Sequence, residues 1–296
     1  MKKYNRICKN IIDTFRPKFH FATPFGWLND PNGFSFFKGE WHLFYQHNPY
    51  SPRWGRMHWG HAKSKDLIKW EHLPIALSPD SPTDSFLGCF SGSAVVRDNK
   101  LHLIYTGVPF LKQHQLLATS DDGVNFTKLD KPVIDIANRP PRSRKFAFRD
   151  PKIIVTDNGY YMVIGASYKK GRQIALYRSD NLTDWTFVAP MLVEASKTKG
   201  IFECPDLIMT DNGDILIYSV MYTKTKGAEY QNMHSSVYLI GKSDLYKIRR
   251  RIKKNEVKEF SLFDSSDDDL VEKLEDYVPS NIVDLFEHYD SKEFEF

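Results

Sequence analysis

At 296 residues, with 41% apolar and 14% aromatic content, the chain is long enough for a large domain with a sizeable core. A formal net charge of only +4 gives no reason to expect strong nucleic-acid binding. Cys8, Cys89 and Cys204 are an odd, widely spaced set that makes no disulfide framework and fits a reducing compartment.

In chain order, residues 1–10 carry positive charge but no apolar run long enough for a signal peptide, and nothing later reaches transmembrane length. A cytoplasmic protein is expected. The next informative stretch is Trp27-Leu28-Asn29-Asp30-Pro31-Asn32-Gly33. Pro31 fixes its own φ and Gly33 tolerates φ > 0, so the stretch reads as a sharp strand-ending turn that holds Asp30 between hydrogen-bonding asparagines. Two further acids sit in similar apolar, proline-flanked settings: Asp150 in Phe148-Arg149-Asp150-Pro151, and Glu203 in Phe202-Glu203-Cys204-Pro205. Between the first two lies Cys89-Phe90-Ser91-Gly92-Ser93.

A second series repeats alongside. The run from Ser64 to Trp70 recurs from Ser120 to Phe126 and from Ser179 to Trp185, with a further start at Ser243, so a unit of about 60 residues repeats. Within each unit, runs such as 41–46, 101–105, 160–165 and 215–219 are β-branched or aromatic and of strand length. Asp98-Asn99, Asp157-Asn158 and Asp211-Asn212 are hairpin turns ahead of three of them. Repeated multi-stranded units predict an all-β propeller, in which Asp30, Ser91, Asp150 and Glu203 take equivalent places on innermost strands and face one central pocket.

At these residues the sequence resembles glycoside hydrolase family 32, the invertase, sucrose-6-phosphate hydrolase and fructanase family. The three acid-bearing motifs appear in the family's order, and the stretches 44–49, 59–62 and 90–93 match its secondary motifs. The resemblance implies a five-bladed propeller followed by a β-sandwich, and a retaining β-fructofuranosidase that needs no metal and no organic cofactor. It implies Asp30 as nucleophile, Glu203 as general acid/base and Asp150 as the acid that stabilises the transition state; the neighbouring charge of Arg149 is expected to hold Asp150 ionised. Asn29, Gln46, Trp54, Phe90, Ser91 and Arg149 match substrate-binding positions. The implied partner is a small-molecule sugar, with neither nucleic acid nor membrane; the oligomeric state is left open.

Three features lie outside that pattern. His58 and His61 are three apart in a strand-like segment, which points them to opposite faces and disfavours a zinc site. The basic run from Arg139 to Lys145 reads either as a solvated loop or as a phosphate clamp beside the pocket, since arginine forks match phosphate oxygens. Cys204, beside Glu203, reads as packing.

The family pattern fades after about Ile240. The propeller domain is expected over residues 1–263 with an incomplete or diverged fifth blade, the sandwich absent, and an acidic tail over 264–296 with helices at 267–277 and 280–289. The leading reading is hydrolysis of sucrose 6-phosphate or sucrose. The alternatives are a fructan (inulin or levan) hydrolase and an inactive, truncated carbohydrate-binding remnant.

Overall fold

A computed structural model describes residues 16–245, apart from 18, 170, 196–199, 211–212, 226, 229–230, 242 and 244. Whatever the chain supplies of the expected fifth blade after residue 245, and the two helices expected in the tail, lie outside the described residues.

The described chain is a series of antiparallel sheets, each a simple meander. The first holds β1 (Trp27–Phe37), β2 (Glu40–Asn48), β3 (His58–Ser64) and β4 (Glu71–Leu77). The second holds β5 (Gly88–Arg97), β6 (Lys100–Val108), β7 (His114–Ser120) and the short β8 (Thr127–Lys128). The third holds β9 (Phe148–Thr156), β10 (Gly159–Tyr168), β11 (Gly171–Ser179) and β12 (Thr186–Ala195). The fourth has three described strands, β13 (Phe202–Thr210), β14 (Gly213–Val220) and β15 (Ser235–Gly241). Neighbouring first strands touch in sequence, β1 with β5, β5 with β9 and β9 with β13. These are propeller blades with their first strands innermost. Four blades are described where the sequence led to an expectation of five.

The repeated serine motif is the turn after each third strand. Ser64 Oγ accepts from the Asp66 and Leu67 amides, Ser120 Oγ from Gly123, and Ser179 Oγ from Asn181 and Leu182. The residue three after each serine takes positive φ: Leu67 at 64°, Gly123 at 79° and Leu182 at 69°. One turn geometry, built from one local hydrogen-bond scheme, thus marks the period legible in the sequence. The hairpin expected at Asp98-Asn99 is also present, both residues at positive φ as a tight primed turn requires.

Apolar side chains fill the gaps between blades. Phe44, Trp59 and Leu77 meet Leu101, Leu103 and Tyr105 between the first two. Ile104 and Leu117 meet Phe148, Met162 and Tyr177 between the second and third. Tyr161, Val163 and Leu176 meet Phe202, Leu216 and Val220 between the third and fourth. Each such fully buried side chain contributes roughly 1.5–3 kcal/mol. His61 joins this packing, edge to face with Phe126 at 6.2 Å and its Nε2 sharing a 2.9 Å hydrogen bond with His42 Nδ1, while buried His58 has its Nδ1 3.1 Å from the Arg56 carbonyl.

Candidate active site

The acid motifs do not end strands. Each lies inside an innermost strand, at a place where pairing with the second strand breaks. The break falls between Leu28 and Pro31 in β1, between Phe90 and Gly92 in β5, between Arg149 and Lys152 in β9, and between Glu203 and Asp206 in β13. Bulges of this kind re-aim a side chain. Proline is tolerated here because an innermost strand is an edge of its sheet and the bulge removes the need for its N–H.

The register corrects one sequence expectation. Asp30, Ser91, Asp150 and Cys204 all fall at unpaired positions inside a break, whereas Glu203 is the last paired residue before its break, level with Leu28, Phe90 and Arg149. Glu203 still reaches the same pocket floor, through Arg149. Asp150 and Cys204 have φ of 65° and 47°. Such a conformation costs a non-glycine residue roughly 1–3 kcal/mol and persists only where surroundings enforce it.

Those surroundings are visible. The Asp150 amide donates to Thr106 Oγ1 at 3.0 Å, and Thr106 in turn donates to Gln115 Oε1 at 2.8 Å. Gln115 Nε2 donates to the Phe148 carbonyl at 3.0 Å, and Gln113 Oε1 accepts from the Phe148 amide at 2.7 Å. The second blade therefore pins the backbone that presents Arg149 and Asp150. On the other side, the Cys204 amide donates to Asp150 Oδ2 at 3.0 Å. None of Thr106, Gln113 and Gln115 was legible as part of the site, because ordinary polar residues in strands carry no motif.

The side chains converge. Ser91 Oγ donates to Asp30 Oδ2 at 2.6 Å. The Cys204 thiol sulfur lies 3.8 Å from Asp30 Oδ2 and 3.8 Å from Asp150 Oδ2, so it opens onto the pocket and is not the packing residue expected. Arg149 Nη2 donates to Glu203 Oε1 at 2.6 Å, while its Nε stands 3.9 Å from Asp150 Oδ2. The closer partner of Arg149 is thus Glu203, not the expected Asp150. Trp27 Nε1 donates to Asn29 Oδ1 at 2.6 Å, and buried Gln46 donates to the Cys89 carbonyl at 2.9 Å. Half-exposed Trp54, on the loop after β2, meets Phe90 edge to face at 6.2 Å.

Charge crowding shows in the titration of the floor. Burial pushes Asp150 up to about 7; Arg149 and the Cys204 amide pull it down, and the Glu203 and Asp30 carboxylates push it further up. Desolvation, then Asp150, Asp30 and Glu203, hold the Cys204 thiol well above its ordinary value. Burial disfavours the charge on Arg149, but Asp150 and Glu203 more than offset it, so its pKa rises. Asp150 is therefore not simply held ionised by Arg149: its proton is poised near neutrality.

Residues 20–268 match the model of the glycosyl hydrolases family 32 N-terminal domain. The chain belongs to glycosyl hydrolase family 32. Over 244 residues it is 41% identical to a sucrose-6-phosphate hydrolase of Zymomonas mobilis, covering 76% of this chain and 47% of that protein. Over 210 residues it is 41% identical to a levanase of Bacillus subtilis, covering 66% of this chain and 29% of that one. Among solved structures, a Bombyx mori GH32 beta-fructofuranosidase mutant in complex with sucrose superposes with a TM-score of 0.77 at 40% identity, covering 83% of this chain and 53% of the other. A sucrose-6-phosphate hydrolase from Lactobacillus gasseri gives 0.73 at 32% identity, covering 81% and 50%. This family 32 chain spans about half the length of the curated relatives it matches.

Among the described residues of this family 32 chain, no group of three or more metal-ligating side chains is placed to hold an ion. No described helix is long and apolar enough to cross a membrane.

Proposed function

We propose that the chain is a retaining β-fructofuranosidase that hydrolyses sucrose 6-phosphate or sucrose through a covalent fructosyl intermediate on Asp30. The observation that carries this reading is the convergence of Asp30, Asp150 and Glu203 on one pocket floor, linked through Ser91, Cys204 and Arg149. The sucrose-6-phosphate hydrolases and the sucrose-bound beta-fructofuranosidase among its relatives support the substrate class. A cytoplasmic location goes with it.

In this reading Ser91 spends its hydroxyl on one oxygen of Asp30, orienting the other for attack on the anomeric carbon of the fructosyl unit. A retaining mechanism needs a second carboxyl that first protonates the leaving oxygen and then activates water. Glu203 takes that part once sugar binding draws Arg149 from it toward Asp150. Asp150 binds fructosyl hydroxyls. As Asp30 bonds to the sugar its negative charge is consumed, and one of the causes that raise the Asp150 pKa disappears. Asp150 then ionises more readily as positive charge grows on the ring, which is when its charge stabilises most.

Transfer to an added alcohol tests the intermediate. In sucrose with methanol, a retaining enzyme yields methyl β-fructofuranoside beside fructose. An α-linked methyl product would overturn retention, and absence of any fructosyl product would remove the hydrolase reading.

A further inference from the structure

We propose that Arg142 and Lys169 form a phosphate-binding rim that makes this pocket prefer a phosphorylated sugar to its neutral counterpart. The inference rests on the fructosidase reading for its substrate and on the following geometry for its residues.

The loop over 139–147 leads directly into β9, and β10 runs antiparallel beside it. Both segments therefore leave the pocket floor on the same side. Gly165 pairs with Arg149, and Tyr168 lies three residues further out, roughly 10 Å along a strand. That displacement is comparable to one hexose carrying a phosphate beyond the bond to be cut.

Tyr168 gathers two cations at that point. Its hydroxyl accepts from Arg142 Nη1 at 3.1 Å, and Lys169 Nζ stands 5.3 Å from its ring centroid. The Lys169 amide donates to the Arg142 carbonyl at 3.1 Å, tying the loop to the turn after β10. Arg142 and Lys169 are both exposed and both at positive φ, 64° and 44°. Two strained turns from separate segments thus present their cations on one tyrosine.

The rest of the basic run divides by geometry. Arg139 is committed to the carbonyls of Ser143 and Ile136. Arg144 is half-buried, its guanidinium carbon 5.7 Å from the Phe146 ring centroid, and Lys145 is exposed; both add positive potential. A guanidinium fork matches phosphate oxygens and an ammonium adds a compact charge, so a dianionic phosphate gains here what a neutral hydroxymethyl cannot.

The test measures kcat/KM for sucrose 6-phosphate and for sucrose in the full chain, in Arg142→Gln, in Lys169→Gln and in the double variant. Lys100→Gln, at the far end of the second blade, is the control. The ratio of the two constants should fall about ten- to a hundredfold in the double variant, the loss expected from removing charged hydrogen bonds. It should hold in the control. An unchanged ratio, or an equal fall for both substrates, would overturn the rim. Should the chain hydrolyse neither sugar, the fructosidase reading fails by itself. Calorimetric binding of glucose 6-phosphate against glucose then decides the rim: a preference lost in the double variant supports it, and no preference in the unmodified chain overturns it.

Discussion

The innermost strands and the strands beside them are built from similar residues but run differently. The pairs β2–β3, β6–β7, β10–β11 and β14–β15 keep their register without a break. Every pairing of an innermost strand with its second strand is interrupted at the level of the pocket. The unbroken ladders hold many of the fully buried side chains, Phe44, Trp59, Ile104, Met162 and Leu176 among them. The interrupted strands hold Asp30, Ser91, Asp150 and Glu203. Regular pairing carries much of the core, to which the innermost strands add Phe148 and Phe202, and broken pairing is where the molecule exposes polar groups that a ladder would have turned into a sheet face.

That division predicts different failures in the two regions. The largest effect is expected at Gly165, on β10. A Cβ there would meet the Phe202 carbonyl oxygen at 1.9 Å, a backbone atom that cannot yield without moving the fourth blade. Gly165→Ala should cost about 3 kcal/mol or more, at the upper end for overpacking. Chemical denaturation reads this out; a loss below about 1 kcal/mol would mean that the two blades slide freely.

Ser91→Ala should do the reverse. It removes the hydrogen bond to the Asp30 carboxylate, worth roughly 1.5–3 kcal/mol when the partner is charged. A tenfold to hundredfold fall in kcat with little change in melting temperature is expected. A variant that melts much earlier but turns over normally would place Ser91 in the scaffold.

The smallest effect is a pH dependence. Folded, Asp150 keeps its proton up to about pH 7, whereas its ordinary value is 3.8. The folded state binds the extra proton between those limits, so stability from this group is full below the ordinary value and is lost as pH rises through about 7. Asp150→Asn should therefore melt higher than the unmodified chain at alkaline pH, by at least roughly 2–4 °C, the shift that about 1 kcal/mol gives in a domain of this size. The gain should vanish in acid. An equal gain at both ends would show that the carboxyl titrates normally.

Much of this was legible in the sequence for a physical reason. The Ser64, Ser120 and Ser179 turns are closed by their own side chains, so their period survives in the letters. The second strands were readable because β-branched and aromatic residues crowd them. The bulges were not, because Asp-Pro-Asn-Gly satisfies the rules for a turn as well as for an interrupted strand, and only pairing with β2 distinguishes them. For the same reason the sequence does not show that Asp30 lies inside its break while Glu203 is still paired at the edge of its own. The Arg149–Glu203 pair links β9 to β13, and no local rule chooses between Glu203 and Asp150 as its partner.

The most direct test of the claim that the interrupted innermost strands assemble one fructosidase site is release of glucose or glucose 6-phosphate. The purified chain would be run beside Asp30→Asn and Glu203→Gln. Turnover by the unmodified chain, lowered at least about a thousandfold in either variant while both melt cooperatively, is the expected result, since groups that act as a unit fail together. Turnover that survives either substitution would contradict it.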